Sequence, residues 1–470
     1  MSNLTQLRLA AREIFNETLL AVDAGAAVRR AVRLEDSRLS VCDTVIDLST
    51  QQPIYAIAIG KAAFAMASAL DEIFGESLSA GVLSSNALRS GIPTRRGSER
   101  VEALQVSDLR YKIFQGGHPE PNEQSLAAAQ ACFALLKRAD EARALVIFLI
   151  SGGGSAMIEW PVSEDIALAD LQGANKVLVN CGASIGEINE VRRAFSAVKG
   201  GRLADLAPHC DQMTLIVSDV PLGEEANVAS GPTLPPKADA RDPRKVIAKY
   251  NLRSQLPEAI LRAIDAEPAA SGPSHSTSLR KHFVVLDNQT ALTGAAKAAR
   301  QRAFVTEIAD DISDQPIAAG CSALLHRLGQ LRARSAESRG NEQSVCLISG
   351  GEFACPVRGD GIGGRNLETA LRLAMSPGWS NSEPFVALCA GTDGIDGNSP
   401  AAGAIIDNTT IARARASGLD PQDFLNRSDA YSFFVALGDV IATGPTGTNV
   451  RDIRILLSGT ETARGSERVI

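Results

Sequence analysis

A lysine directly follows a strand-like run and a glycine in the segment Tyr55-Ala-Ile-Ala-Ile-Gly60-Lys61. The alanine-rich stretch from Ala62 to Leu70 comes next and is typical of a helix. A lysine at this junction lies where the backbone N–H groups and the dipole of a helix N-terminus already favour anions, so Gly60 and Lys61 predict binding of a phosphate or a carboxylate. The segment is not a P-loop, because Tyr55 stands in place of the first glycine and Ala62 in place of the Ser or Thr after the lysine.

A second glycine-rich loop follows the apolar run Leu145–Ile150. It reads Ser151-Gly152-Gly153-Gly154-Ser155. Glycines let the backbone approach an anion closely, and successive N–H groups can enclose it. The alternative is a tight strand-to-helix turn without a ligand, but the flanking serines favour contact with a phosphate.

Aspartates follow two further strand-like runs. Asp219 comes shortly after Thr214–Val217, and Asp393 and Asp396 lie in a glycine-rich segment that follows Phe385–Cys389. Such carboxylates can bind a cation, orient a hydroxyl group or act as a general base. Aspartates are equally common in caps and turns, so both interpretations stay open here. We predict Asp219 and Asp393 as candidate metal ligands and Asp396 as a ligand contact.

An arginine opens the helix that follows another glycine-rich region. This region contains Ser349-Gly-Gly-Glu352 and ends in Gly-Gly-Arg365-Asn366. An arginine at a helix N-terminus is unfavourable for the helix dipole, and an anionic ligand explains it more readily than helix stability does. Arg365, Asn366 and Glu352 are therefore candidate site residues.

The same region contains a possible dinucleotide motif. Gly359, Gly361 and Gly364 fit the pattern G-x-G-x-x-G, and Glu383 lies near the place expected for a ribose-binding acid. The run before these glycines contains Pro356 and makes a poor buried strand. The motif therefore supports only a weaker alternative.

Other polar side chains extend the candidate ligand-binding set. His118 lies in a proline-rich loop. Arg192 and Lys199 lie in a predicted helix, Glu190–Leu206, and Asn189 directly precedes it. Asn189 and Arg192 lie close to one helix face. The competing interpretations are that His118 has only a structural role and that the charged helix residues form a face exposed to solvent.

Strand-like runs alternate with helices along the whole chain, which predicts an α/β fold with mostly parallel sheets flanked by helices. Ligands bind at the carboxyl ends of the strands in such sheets, where the glycine-rich loops above would lie. The length of 470 residues predicts two or three domains. Proline-rich stretches at Gly231–Pro236 and from Pro268 to Ser278 suggest a boundary near residue 240, with domains at 1–240 and 241–470. The second block of strands would begin at Phe283–Leu286.

Composition narrows the class of protein. The net charge of −7 argues against a nucleic-acid-binding protein. The eight cysteines are scattered without a CxxC pair, which indicates neither a zinc site nor a disulfide framework. No targeting segment or run long enough to cross a membrane is evident, so we expect a cytoplasmic enzyme or binding protein.

Eight motifs in series carry a family resemblance, which covers nearly the whole chain. They are GKAAFAMA, GGHPEPNE, SGGGSAMIEWP, INEVRRAFSAVKGGRLA, SDVP with ASGPT, GGRNLETAL, GTDGIDG and TGPTGTNV. Together they resemble the class II glycerate kinases of the MOFRL family, some of which are labelled hydroxypyruvate reductases of tartrate utilisation. The resemblance implies two α/β domains, the larger N-terminal one Rossmann-like, with the active site in the cleft between them.

The same resemblance implies an activity. Its members phosphorylate D-glycerate with ATP and Mg²⁺, usually giving 2-phosphoglycerate, and Lys61, Arg365 and Asp393 match catalytic positions. We expect Lys61 and Arg365 to clamp the transferred phosphoryl group or the glycerate carboxylate, with Asp393 as base or magnesium ligand. The protein would be a monomer or a homodimer. The alternatives are an NAD(P)-dependent hydroxypyruvate reductase and a non-catalytic protein that binds a nucleotide or a sugar acid.

Overall fold

The computed structural model describes residues 3–48, 52–86, 109–237, 242–266, 278–339, 343–376 and 383–459. Its strands are β1 (Val32–Glu35), β2 (Arg38–Val41), β3 (Thr44–Asp47), β4 (Ile54–Ile59), β5 (Leu78–Ser85), β6 (Tyr111–Gln115), β7 (Leu145–Ser151), β8 (Asp211–Val217), β9 (Arg280–Leu286), β10 (Val305–Ile308), β11 (Val345–Gly350), β12 (Phe385–Gly391), β13 (Gly403–Asp407), β14 (Val440–Ile441) and β15 (Asp452–Ser458).

The helices lie mostly between these strands. They are α1 (Asn3–Ala21), α2 (Ala24–Ala31), α3 (Ala63–Phe74), α4 (Glu123–Glu141), α5 (Gly154–Met157), α6 (Leu168–Asn180), α7 (Ile185–Phe195), α8 (Arg202–Asp205), α9 (Pro243–Lys249), α10 (Glu258–Asp265), α11 (Asn288–Gln301), α12 (Ile317–Arg339), α13 (Arg365–Met375), α14 (Thr410–Ala416), α15 (Pro421–Asn426) and α16 (Ala430–Leu437), with 3-10 turns at Gly75–Ser77 and Glu225–Ser230. None of the described helices has the length and apolarity needed to cross a membrane.

The first large sheet has the strand order β6-β5-β4-β7-β8-β9, and all its pairs are parallel. Counted along the chain from β4, this is the Rossmann order 3-2-1-4-5-6. The order reverses between β4 and β7, which is where such sheets bind ligands. Lys61 follows β4 and the loop 151–155 follows β7, so both lie at this switch point.

The second large sheet has the order β10-β11-β15-β12-β13-β14. Strand β15 is antiparallel to both its neighbours, β11 and β12. It therefore begins at the edge where those two strands end, with Asp452 opposite Gly391 and Ile453 opposite Gly350. The predicted α/β fold is confirmed, with one wholly parallel and one mixed six-stranded sheet, and a third, small antiparallel sheet consists of β1, β2 and β3.

The sheets do not divide at the boundary predicted near residue 240. Strand β9 pairs with β8 and completes the first sheet, so the expectation that Phe283–Leu286 begins the second block is wrong. Helix α1 packs on the second sheet, where Ile14 and Phe15 share a core with Val386 and Ile455. The chain therefore passes from one core to the other twice, first after α1 and again after β9. The predicted proline-rich connection lies almost wholly outside the described residues.

One predicted helix is interrupted. The run predicted as Glu190–Leu206 divides into the end of α7 and the short α8, because Ser196 adopts an extended conformation. The Ser196 hydroxyl donates to the Glu159 carboxylate at 2.5 Å, and Arg202 donates to the Ser196 carbonyl. A tertiary contact therefore overrides the local helical pattern.

Candidate active site

We call the part of the chain built on the first large sheet the first domain, and the part built on the second large sheet the second domain. The loops at the switch point face the second domain across a cleft that contains a cavity of about 330 Å³. Predicted site residues that line it are His118, Gly153, Ser155, Asn189, Arg192, Asp219 and Glu352. Asn227, Ser230 and Arg451 line it as well, although sequence reasoning did not select them. The cavity therefore combines residues from both domains.

Lys61 joins the two domains directly. Its Nζ lies 2.7 Å from Asp393 Oδ2, and the two side chains are 19% and 15% exposed. Gly60 turns the chain toward the cleft with φ 118°, a conformation in which a Cβ would overlap Ser151. Two backbone N–H groups hold Asp393. That of Ile395 donates to its Oδ1 at 3.2 Å, and that of Thr446 donates to its backbone carbonyl at 3.2 Å. Two residues predicted to be catalytic thus form one ion pair.

The glycine-rich loop is shaped by its contacts with the protein. Ser151 is fully buried, and its Oγ accepts the Ala62 N–H at 3.0 Å at the start of α3. A Cβ on Gly152 would overlap the carboxylate of Asp219. The loop therefore brings Asp219 against its backbone, and Ser151 positions the Lys61 helix instead of reaching a ligand.

Asp219 has an environment that disfavours its charge. Burial raises the pKa of Asp219 to about 6, although the nearby Lys61 charge opposes the shift. Asn449 of the second domain donates from Nδ2 to Asp219 Oδ2 at 3.3 Å. This contact is a second bridge between the domains.

Arg192 is a buried guanidinium that lines the cavity. Its Nε donates to Asn175 Oδ1 at 2.9 Å, and within the described ranges no carboxylate forms an ion pair with it. Burial lowers the pKa of Arg192 to about 10, with the more distant Glu159 opposing, so the group stays charged at neutral pH. A buried charge without a counter-ion is costly, and an anionic ligand in the cavity would supply the missing partner.

His118 lies at the mouth of the cleft. Although His118 is exposed by accessible area, desolvation of its ring beside the cavity and then the Lys61 charge lower its pKa. The imidazole is therefore neutral at physiological pH and can donate or accept a hydrogen bond without adding charge.

Arg365 is held by two carboxylates. Its Nε lies 2.6 Å from Asp452 Oδ2, and its Nη2 lies 2.7 Å from Glu352 Oε1. Although burial opposes it, the charges of Asp452 and Glu352 raise the pKa of Arg365. Burial raises the pKa of Glu352, and the charge of Arg365 opposes this shift.

Two predicted ligand contacts have structural partners instead. Asp396 accepts the N–H groups of Asn366 and Leu367 at 3.1 and 2.8 Å and so caps α13. Asn366 also donates its side-chain amide to Asp396 and is buried. These residues position Arg365 at the start of α13, which corrects the expectation that they contact a ligand.

Lys199 is likewise enclosed. Its side chain and that of Glu159 are each 1% exposed and form an ion pair. The expectation of a ligand contact for Lys199 is therefore corrected, since its ammonium group already has a buried counter-ion.

The possible dinucleotide motif does not have the required context. In the described residues no strand lies between β11 and α13, and Gly359 and Gly361 pack against the backbone of Arg427. Glu383 precedes β12 and so lies beside the amino end of β11, at the opposite edge of the sheet from Gly350. An acid at that edge cannot reach a ribose at the carboxyl end.

The residues that β15 brings to the cleft were not predicted from the sequence. Arg451 is buried and forms an ion pair with Asp314, while Asp452 pairs with Arg365. The rule that ligands bind at carboxyl ends does not select residues at the amino end of a strand. The polar motif before Val450 was the available signal, but the antiparallel pairing of β15 was not evident from the sequence.

The carboxylates of the cleft suit a magnesium ion that arrives with a nucleotide. Among the described residues no group of three or more His, Cys, Asp or Glu side chains could hold a metal by itself. Asp393 forms an ion pair with Lys61, and the charge of Lys61 also acts on Asp219. Magnesium is commonly held by one or two carboxylates together with phosphates and water, so this donor set fits.

Comparisons of the sequence and of the fold with those of known proteins identify the same group of related proteins. The sequence profile of a domain of unknown function (DUF4147) matches residues 10–265, and that of the MOFRL family matches residues 345–452. The D-glycerate 2-kinase of Thermotoga maritima is 33% identical over 91% of this chain and 96% of that protein. An Agrobacterium vitis protein with the provisional name hydroxypyruvate reductase is 35% identical over 86% of this chain and 98% of that protein. The crystal structure of the glycerate kinase from Thermotoga maritima has a TM-score of 0.72 and 30% sequence identity, covering 96% of this chain and 99% of that one.

Proposed function

The chain belongs to the MOFRL-containing class II glycerate kinase family, and on this premise we propose that it transfers the γ-phosphoryl group of ATP to the 2-hydroxyl group of D-glycerate. The observation that carries the proposal is the pairing of Lys61 with Asp393 across the cleft, at the switch point of a Rossmann-ordered sheet. A cation and a carboxylate meet there beside a cavity of suitable size for a small acid.

Arg192 is the proposed partner of the glycerate carboxylate. Its guanidinium is buried, lines the cavity and has no carboxylate partner in the described part of the chain. A planar guanidinium matches a carboxylate in geometry and charge. The acid would thus be held by the first domain.

Lys61 is the proposed partner of the transferred phosphoryl group, with Arg365 approaching from the second domain. Lys61 would exchange the Asp393 carboxylate for phosphate oxygens when the nucleotide binds. That exchange frees Asp393 to accept the proton of the substrate hydroxyl group. Positioning and charge stabilisation of this kind provide most of the catalysis in phosphoryl transfer.

The reaction balances with these groups. The hydroxyl oxygen forms the new bond to the γ-phosphorus, the bond from that phosphorus to the β–γ bridging oxygen breaks, and ADP leaves. The hydroxyl proton passes to Asp393. Asp219 would hold magnesium together with phosphate oxygens and water, and the bound ion would supply neutralisation of the phosphate charge.

A coupled assay of ADP formation tests the proposal. We expect ADP formation that requires both D-glycerate and Mg²⁺ and is lost on Lys61→Ala or Arg365→Ala. Phosphorus NMR of the product should show a phosphomonoester on carbon 2. Near-normal turnover in both variants would contradict the proposed roles.

The alternative reductase activity has less support. The glycines that suggested it pack on protein backbone, and Glu383 lies at the wrong edge of its sheet. Mixing the protein with hydroxypyruvate and NADH distinguishes the two activities, since oxidation of NADH at a rate comparable to the kinase reaction would favour the reductase. Binding of ATP without any turnover would instead favour a non-catalytic protein.

A further inference from the structure

A directed chain of hydrogen bonds ends at the cavity. Glu224 accepts from Asn227 Nδ2 at 2.8 Å, and Arg193 donates to Asn227 Oδ1 at 3.1 Å. A carboxylate only accepts and a guanidinium only donates, so these two contacts fix the orientation of the Asn227 amide.

The orientation of the next amide follows. Asn189 Nδ2 donates to the backbone carbonyl of Asn227 at 3.2 Å. A carbonyl cannot donate, so the amide nitrogen of Asn189 must face it and Oδ1 must face the other way. Ser230 lies on that other side, and its Oγ donates to Asn189 Oδ1 at 2.7 Å.

The single hydroxyl hydrogen of Ser230 is therefore already used. Ser155 Oγ lies 2.7 Å from Ser230 Oγ, and with the Ser230 hydrogen directed at Asn189 the donor in this contact is Ser155. No other hydrogen bond reaches Ser155 Oγ from the described residues. Ser155 is half-buried and lines the cavity, so it presents only lone pairs there.

We propose that Ser155 is a specificity-determining residue that accepts a hydrogen bond from a hydroxyl group of the substrate. Under the proposed function, on which this inference rests, that group is the glycerate hydroxyl that is not phosphorylated. The sequence favoured contact of Ser155 with a phosphate, but its hydroxyl hydrogen points to Ser230, so Ser155 offers no donor to an anion in the cavity. Arg192 and Ser155 together select a small acid that carries a second hydroxyl group.

The direction of the chain also predicts which acids are rejected. D-lactate lacks the second hydroxyl group and leaves Ser155 without a donor. Tartronate has a carboxylate in its place and turns acceptor oxygens toward the lone pairs of Ser155. A site that hydrogen-bonds a hydroxyl group discriminates strongly against analogues that cannot form the bond.

Calorimetric dissociation constants of the full chain for D-glycerate, D-lactate and tartronate test the inference. The wild-type protein should bind D-glycerate at least about tenfold more tightly than either analogue. Ser155→Ala should weaken D-glycerate about tenfold and leave D-lactate within about twofold, so that the preference disappears. Equal weakening of both acids would indicate a purely structural role and overturn the proposal.

Ser230→Ala is the matched variant, since it keeps the Ser155 oxygen and releases its hydrogen. The ratio of tartronate to D-glycerate affinity should rise about tenfold, because Ser155 can then donate to a carboxylate. An unchanged ratio in this variant would contradict the assigned direction. Wild-type protein that binds D-glycerate without forming ADP would refute the kinase proposal and not this one, whereas no binding of D-glycerate would refute both.

Discussion

At the scale of single residues, Arg192 and Asp219 show how burial prepares the cleft for a ligand. One is a cation that lacks a carboxylate partner in the described ranges, and the other is an acid whose pKa is raised to about 6. Both carry charge in surroundings that disfavour it. Perturbed charges of this kind are typical of binding and catalytic sites.

Arg192→Met should raise the KM for D-glycerate about 10- to 100-fold, because a hydrogen-bonded charge pair with the carboxylate is lost. The KM for ATP should change little. Arg253→Met is the control, since this exposed arginine pairs with Asp265 away from the cavity. Equal changes in both KM values would indicate that Arg192 shapes the domain instead of binding the acid.

Asp219→Asn should stabilise the protein above about pH 6 while lowering kinase activity. The folded state holds the Asp219 proton up to about pH 6, whereas the unfolded state releases it near pH 4, so the unfolded state binds fewer protons between these values. The contribution of Asp219 to the free energy of unfolding therefore falls as the pH rises from about 4 to about 6. We expect a gain of about 1–2 kcal/mol at pH 8, allowing for partial exposure, and none at pH 4.

Urea unfolding at both pH values measures this difference. Asp165→Asn is the control, because the Asp165 side chain is 65% exposed. A gain for Asp219→Asn that is the same at both pH values would contradict the assigned cause.

At the scale of elements, buried polar contacts determine where helices end and loops lie. The ion pair of Lys199 with Glu159 joins the loop after α7 to the segment after α5. Ser196 and the Trp160 N–H also bind Glu159, so one carboxylate organises both segments.

Lys199→Met should lower the free energy of unfolding by about 3–5 kcal/mol, because Glu159 is left buried without a counter-ion. Adding Glu159→Gln should restore at least half of that loss. Arg29→Met, in an exposed pair with Glu72, should cost less than about 1 kcal/mol. A double variant as unstable as the single one would show that packing, not charge, is responsible.

The positions of helices and strands along the chain could be predicted from the sequence better than the pairing of the strands. The strand at Leu145–Ile150 and the helix that follows Lys61 can be predicted because an apolar run and an alanine-rich stretch are local features of the sequence. The placement of β9 and β15 depends on partners far along the chain, which periodicity does not contain. Lys61 and Asp393 could be selected as site residues from their loops, but their direct pairing required the fold.

At the scale of the whole molecule, the N-terminal helix belongs to the domain formed by the C-terminal half of the chain. Phe15 of α1 is 1% exposed and packs in the core of the second sheet. The two crossings between the cores therefore enclose the first domain. The cleft lies between bodies that are connected at two places along the chain.

Phe15→Ala should lower the free energy of unfolding by about 3–5 kcal/mol, since a buried aromatic side chain is removed. Leu9→Ala on the same helix is the control, with 48% exposure and an expected change within about 0.5 kcal/mol. If both variants unfold at the same urea concentration as the wild type, α1 does not support the second domain as described.

If groups from both domains form one phosphoryl-transfer site, substitutions of Lys61 and Asp393 should have coupled effects, and a double-mutant cycle on these two residues measures that coupling. Each of Lys61→Met and Asp393→Asn should lower kcat/KM for D-glycerate at least about 100-fold. The double variant should lose no more than about the worse single one, because residues that act as a unit are not additive. Losses that multiply, or near-normal kcat/KM in either single variant, would contradict a shared site across the cleft.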